Sequence, residues 1–488
     1  MRARDSPFRV ITGQTCWRVE TADQFSCIVD AAAYFRHVKA AMLRAKHRIM
    51  LIGWDFDTRT TFERGGNRLA GPNQLGAFLY WLLWRRPALE IRVLKSNLRL
   101  LPVFDGIWYG ITPVSVVNRL SSRRLRLAID GARPTGSVHH QKLVIVDDVL
   151  AFCGGIDLTL DRWDTSEHRH DDRLRRALGR RYGARHEVAA ALDGAAAGAL
   201  AEVARDRWRT ATGQSLDPID GARAVWPSGL RPMLRQVDVG IARTLPTLNA
   251  RREIREVEAL NLAAIAAACH TIYLENQYLA ARSVVEALAA RLRERDGPEI
   301  VIVLPRRGLN RLERETMDGA RHRLIQTLWA ADDHRRLGVY WPETDGGSPI
   351  YVHSKILIVD DRLLRVGSSN FNNRSLGFDS ECDVAIEADP DHEGHEHIRR
   401  VIRSVRGQLV CEHLGVPTDE FERAMRDGKS LLQAVEALRG RGRTLRRFTS
   451  RTVANEDSPL AENELMDPDH VPRSLTRSMR RLVAKLSQ

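Results

Sequence analysis

His140-Gln141-Lys142-Leu143-Val144-Ile145-Val146-Asp147-Asp148, followed by Gly154-Gly155-Ile156-Asp157, is the stretch that decides the reading of this chain. It returns 213 residues later, without a gap, as His353-Ser354-Lys355-Ile356-Leu357-Ile358-Val359-Asp360-Asp361 followed by Gly367-Ser368-Ser369-Asn370. Four apolar, mostly β-branched residues in a row predict a short strand buried on both faces. Residues two apart on extended backbone point to the same side. Each copy therefore predicts a His and a Lys at the entry of a buried strand, side by side on a cleft. Asp147 and Asp360 fall at the strand ends, where pairing with a buried cation is as good a reading as catalysis.

The repeat extends outward. Ala45-Lys-His47-Arg-Ile-Met-Leu-Ile-Gly-Trp54 parallels Ala268-Cys-His270-Thr-Ile-Tyr-Leu-Glu-Asn-Gln277, each a helix running into an apolar strand. Glu90-Ile-Arg-Val-Leu94 parallels Glu299-Ile-Val-Ile-Val-Leu304. Each half thus reads helix, strand, helix, strand and then the motif strand, which predicts an α/β fold. Two similar α/β halves, an internal duplication, are expected to pack about a pseudo-twofold with one active site at their interface. Gly213, Pro218, Gly221, Pro227, Gly229 and Pro232 cluster between them. The expected divisions are residues 1–215 with the first motif, 216–416 with the second, and a basic tail over 417–488. Within that tail Leu475, Met479, Leu482 and Leu486 recur at helical spacing among arginines. An amphipathic helix of this kind suits an anionic membrane surface or the body of the protein itself.

The 488 residues carry a formal charge of +13 and a pI near 9.9. That excess favours polyanionic partners: anionic membranes, nucleic acid or phosphorylated substrates. Six scattered cysteines form no Cys-x-x-Cys pair, which predicts a reducing compartment. No apolar h-region follows the basic N-terminus, and no apolar run reaches membrane-spanning length. The expectation is a soluble cytoplasmic protein, peripheral at most to a membrane.

Two converging His/Lys pairs supply what one cannot. Displacement at a phosphodiester needs a neutral imidazole as nucleophile and a protonated one to give the leaving alkoxide its proton. Two histidines in different environments provide that pair near neutral pH. Two lysines and an Asn or Ser donor stabilise charge on the phosphoryl oxygens. No metal or cofactor is required. His168-Arg-His170-Asp171-Asp172 lacks a second ligand set at metal spacing, so it is not read as a metal site. His139 reads as a structural neighbour of His140. Trp54, Trp108, Trp163 and Tyr278 suit core packing better than an acyl-chain groove.

The duplicated block resembles the phospholipase D superfamily, whose signature is His-x-Lys-x4-Asp-x6-Gly-Ser/Gly. Ile272-Tyr-Leu-Glu275-Asn276-Gln277-Tyr278, Gly154-Gly-Ile-Asp157-Leu with Arg162-Trp-Asp164-Thr, and Glu412-His413-Leu414-Gly415 are similar to elements of phospholipases D proper. The resemblance covers residues 28–416 and implies a phosphodiesterase that hydrolyses or transphosphatidylates glycerophospholipids through a phosphohistidine. It implies His140 as nucleophile and His353 as general acid within a catalytic set that also includes Lys142, Asp147, Lys355 and Asp360. Asn370, Ser368, Gly155 and Gln277 are the implied substrate-binding residues. A carboxylate on each histidine is also implied: Glu381 in the second half, and Glu187, Asp171 or Asp172 for His140. Asp157, where the second half has Asn370, would repel phosphate unless turned away or paired. A cardiolipin synthase-like transferase and a nuclease are the alternative functions. The expected partner is phospholipid at an anionic membrane surface, ahead of nucleic acid.

Overall fold

The structure, a computed structural model, describes residues 9–96, 107–109, 112–113, 118–119, 121–134, 136–248, 251–309, 313–391, 393–440, 442–453 and 467–468. The expected amphipathic helix over 473–488 and Trp108's side chain lie outside what is described. Among the described residues no helix is long and apolar enough to cross a membrane. All six cysteines are free thiols, five of them buried.

The chain is α/β, as its alternating pattern predicts. Its first part runs β1 (Arg18–Val29), α1 (Ala31–Met42), β2 (Arg48–Gly53), α2 (Leu75–Arg85), β3 (Glu90–Ser96), β4 (Leu125–Asp130), β5 (Leu143–Val146), β6 (Leu150–Gly154), β7 (Val188–Asp193) and α3 (Gly194–Thr212). Then follow β8 (Leu234–Leu245), α4 (Glu256–Ala267), β9 (Thr271–Glu275), α5 (Arg282–Arg293), β10 (Glu299–Val303), α6 (Gly319–Ala331), β11 (Leu337–Glu343), β12 (Ile356–Val359), β13 (Leu363–Gly367), β14 (Glu381–Glu387) and α7 (His395–Leu414). Beyond Val416-Pro417 the chain stays in the fold as α8 (Thr418–Arg426), α9 (Leu431–Leu438) and β15 (Thr444–Arg447), which pairs antiparallel with β11.

These strands form one continuous sheet in the order β15-β11-β10-β9-β12-β13-β14-β8-β1-β7-β6-β5-β2-β3-β4. The long antiparallel pair β1–β8 stands at its centre, with Val19 opposite Gly240. Outward from that pair the order is the same on both sides: a strand following the motif hairpin, the hairpin itself, then three parallel strands. The parts before and after residue 215 therefore share one sheet. They are not two sheets packed on each other.

Alternation along the motif strands sorts the core into layers. Leu143 and Ile145 face α3 and α7, whose Leu200, Trp208, Leu409 and Val410 join the same apolar cluster. Val144 and Val146 face the other way, toward Tyr34, Phe35 and Phe78 of α1 and α2. In the second copy Leu357 and Val359 pack with α4, α5 and α6 on that latter face.

The motif aspartates explain how each hairpin is pinned. Asp147 and Asp360 adopt left-handed backbone, φ 52° and 55°, in the turns after β5 and β12. The Asp147 carboxylate accepts the backbone N–H groups of Lys46, His47 and Arg48 at 2.7, 2.7 and 2.8 Å. Asp360 does the same for Cys269, His270 and Thr271, each at 2.7 Å. These groups begin β2 and β9, where the sheet leaves three amides without ladder partners. The next residues, Asp148 and Asp361, pair with Arg205 on α3 and with Arg403 and Arg406 on α7. Asp147 and Asp360 stand about 16 Å of extended chain from the lysines of their motifs. Their inclusion in the catalytic set is corrected accordingly: they clip backbone, and their partners are amides, not a buried cation.

Candidate active site

His140 and Lys142 lie on the extended segment entering β5; His353 and Lys355 enter β12 in the same way. Each entering segment is held by the opposite half of the chain. The His140 amide donates to the Ser380 carbonyl at 2.9 Å, and the His353 amide to the His186 carbonyl at 2.8 Å. The residues after those two carbonyls are Glu381 and Glu187, so the backbone pairing delivers each carboxylate across the molecule.

The pairing of histidine with carboxylate is therefore crossed. His140 Nδ1 lies 3.1 Å from both oxygens of Glu381. His353 Nδ1 lies 2.7 Å from Glu187 Oε1, off the line of a hydrogen bond. The expectation that a first-half residue (Glu187, Asp171 or Asp172) orients His140 is corrected. Asp171 is exposed and paired with Arg181, and Asp172 accepts the Leu174 amide. With Nδ1 turned to the carboxylate, each ring presents Nε2, which has no protein partner among the described residues. The His140 side chain retains 14% exposure and that of His353 5%.

The lysines close the arrangement. Lys142 Nζ donates to the His140 carbonyl at 2.9 Å and lies 3.3 Å from Asp157 Oδ2. Asp157 is thus paired, and its Oδ1 accepts the Trp54 amide at 3.0 Å. Lys355 Nζ donates to the His353 carbonyl at 2.6 Å and to Gln277 Oε1 at 3.2 Å. Gln277 accordingly stands on Lys355, as part of its support. The Ser368 hydroxyl donates to Glu381 Oε2 at 2.5 Å, so its hydrogen is directed at that carboxylate. Asn370 is 4% exposed and its amide oxygen has no partner. A Cβ at Gly155 would come within 3.0 Å of the His353 carbonyl and 3.3 Å of Lys355 Cδ, so glycine there lets the halves close. At Gly367 a Cβ would run into the Asp383 carboxylate, which accepts the Ser368 and Ser369 amides.

Three further contributors stand beside the motifs. Arg162 is buried 3.6 Å from Glu187 Oε1, and Arg185 is buried with its guanidinium over the Tyr351 ring. Tyr351 stacks near His353 with ring centroids 6.4 Å apart. Arg162 belongs to the Arg-Trp-Asp segment noted above. Arg185 and Tyr351 carry no signal at motif level, because only the parallel pairing of Arg185–His186 with Tyr351–Val352 brings them in. Trp54 meets the His140 ring edge-on at 6.4 Å.

Burial drives the electrostatics. It pushes His140 well below its ordinary value, aided by Lys142 and Lys355. It does the same to His353, aided by Lys355 and Arg162. Burial and Lys142 hold Lys355 well below the usual range, while burial pushes Glu381 up to about 8 against the pull of Lys142. Both imidazoles are displaced in the same direction, below the ordinary value, in the free site. An anion bound among these groups reverses the repulsion and raises a histidine's pKa, so the complex holds more protons than the free protein. Binding of a dialkyl phosphate, monoanionic throughout this range, is expected to take up protons near pH 7 and to tighten as pH falls from 8 to 6. Calorimetry in buffers of different ionisation enthalpy measures this, and proton release on binding would contradict it.

The chain is similar to known proteins in sequence and in fold. Residues 262–404 match the family model described as Cardiolipin synthase, PLD-like domain. Phospholipase D alpha 4 of Arabidopsis thaliana is 23% identical over 503 residues, covering 79% of this chain and 64% of the relative. Phospholipase D A of Dictyostelium discoideum is 26% identical over 349 residues, covering 57% of this chain and 27% of the relative. The chain thus spans less than two thirds of the length of these curated relatives. The solved phosphatidylserine synthase of Haemophilus influenzae shares the fold at a TM-score of 0.56 and 12% identity, covering 96% of this chain and 95% of that one. With two His-x-Lys-x4-Asp segments brought to one place on this fold, the chain belongs to the phospholipase D superfamily.

Proposed function

We propose that the protein is a phospholipase D-type phosphodiesterase that hydrolyses or transphosphatidylates glycerophospholipids. The observation that carries this reading is the pair of imidazoles, each with Nδ1 against the other half's buried carboxylate and Nε2 directed outward, among Lys142, Lys355, Arg162 and Arg185. The names of the relatives in plants and Dictyostelium support glycerophospholipid as the substrate class.

In this reading His140 Nε2 attacks phosphorus and the bond to the head-group oxygen breaks. His353, protonated once the phosphate anion is bound, gives that oxygen its proton. Water or an alcohol then transfers its proton to His353 and attacks the phosphohistidine, which frees His140. The greater exposure of the His140 ring supports it as the nucleophile. Lys142, Lys355 and the side-chain N–H groups of Asn370 stabilise the phosphoryl oxygens. Glu381 and Glu187 orient the histidines and offset the charge each gains. An anionic membrane surface is the expected setting, given the net charge of +13.

Vesicles of mixed phospholipids with a short alcohol test this directly. Phosphatidate and phosphatidyl-alcohol are the expected products, and both should vanish in His140→Ala. If the folded protein gives neither product yet nicks plasmid DNA with a steep salt dependence, the lipid reading fails in favour of a nuclease.

A further inference from the structure

Behind the second motif lies a buried cluster that the reaction above does not use. Asp30 follows β1, Asp164 and His168 follow β6, His186 precedes β7, Glu275 ends β9, and Glu412 and His413 form the last turn of α7. None is more than 6% exposed.

Both nitrogens of two imidazoles face carboxylates. His168 Nδ1 is 2.9 Å from Asp164 Oδ2 and its Nε2 3.1 Å from Glu412 Oε1. His186 Nδ1 is 2.6 Å from Glu412 Oε1 and its Nε2 2.8 Å from Glu275 Oε2. A neutral imidazole has only one N–H, so four such contacts need two further protons, and the neighbouring carboxylates, which raise both His168 and His186, favour placing them on the rings. With Arg175, 3.0 Å from Asp164, they balance the charges of Asp164, Glu412 and Glu275. Burial and Glu412 leave Asp30 proton-bearing, at about 8. Burial alone would discharge His186, yet Glu275 and Glu412 raise it well above its ordinary value.

The cluster grips the second motif through Glu275, whose carboxylate accepts four donors: His186, the Ser354 hydroxyl at 2.6 Å, His413 Nε2 at 3.0 Å and the Tyr273 hydroxyl at 2.5 Å. Ser354 is the residue between His353 and Lys355. The His186 carbonyl accepts the His353 amide, and Asp30 exchanges backbone and side-chain hydrogen bonds with Glu187. The first motif has a different anchor: Gln141 meets Arg207, which pairs with Asp130.

We propose that this charged cluster is the positioning device of the second half-site, holding His353 and Glu187 in the geometry that delivers a proton to the leaving group. It rests on the functional reading above. His186, Glu275 and Glu412 act through His353 and touch no substrate. Loss of the device therefore damages reactions whose leaving group needs a proton and spares those whose leaving group does not.

The test compares Glu412→Gln and Ser354→Ala with the wild type on vesicles of phosphatidylcholine and of phosphatidyl-p-nitrophenol. The latter releases a nitrophenolate that departs without a proton. On phosphatidylcholine kcat is expected to fall roughly 100-fold in Glu412→Gln and roughly 10-fold in Ser354→Ala, with KM within about twofold. The burst rate of nitrophenolate release is expected to stay within about threefold. Ser354→Ala removes one hydroxyl and leaves Glu275 three donors, so it serves if Glu412→Gln fails to fold. Equal losses on both esters, or no loss on either, would overturn the proposal. So would one tightly bound divalent ion per chain, found by elemental analysis and lost in Glu412→Gln, since it would replace the two protons. A wild type inactive on both esters would instead overturn the functional reading, and this proposal with it.

Discussion

Alanine at His140 is expected to lower turnover by on the order of 10^4-fold or more, because it removes the atom that bonds to phosphorus. The measurement is a detergent quench at neutral or alkaline pH with the phosphatidyl group labelled, which preserves a phosphohistidine. Wild type should show a covalent adduct and His140→Ala none. His353→Asn should form the adduct from the nitrophenyl ester while losing turnover of phosphatidylcholine. The crossed pairing adds a sharper expectation. Glu381→Gln, in the second half of the chain, should behave as a weakened His140, slowing adduct formation from either ester. Glu187→Gln, in the first half, should behave as a weakened His353 and be felt mainly with the alkoxide leaving group. An adduct that persists in His140→Ala and disappears in His353→Asn would exchange the two roles.

Much of this arrangement was legible in the residues. Leu143–Val146 and Ile356–Val359 read as strands buried on both faces because their apolar runs leave no solvent side, and the sheet places each with neighbours on both edges. The strand order runs alike on either side of β1 and β8. What stayed hidden depends on long-range pairing. No local pattern says that Ser380 binds the His140 amide or that His186 binds the His353 amide, and the exchange of carboxylates follows from those two bonds. The joining of β1 to β8 into one sheet was likewise invisible, since edge pairing leaves no trace in a strand's own alternation. His168 was read beside His170 and the acidic residues that follow it. Its actual partners are Asp164, four residues back, and Glu412, 244 residues away.

The most conspicuous acid of each motif gives the other large expected effect, and it falls on stability. Asp147→Ala or Asp360→Ala should destabilise the protein by about 3–5 kcal/mol, because each leaves three backbone N–H groups without an acceptor at a helix-to-strand junction. Alanine also adopts the left-handed backbone of these turns poorly, at a further cost on the order of 1 kcal/mol. Asparagine tolerates that backbone and keeps one oxygen acceptor, so Asp147→Asn or Asp360→Asn should cost about 1–2 kcal/mol. Urea unfolding measures the series. Activity per folded molecule, normalised by the nitrophenolate burst amplitude, should stay within a few fold of wild type throughout. A catalytic aspartate would give the reverse: full stability with the burst abolished in the alanine and asparagine variants alike. Either copy tests the point independently, since Asp147 and Asp360 each hold three corresponding amides, at the start of β2 and of β9. Placing them at the far end of the motif strands makes the His/Lys spacing a requirement of chemistry and the Asp spacing a requirement of the hairpin that carries it.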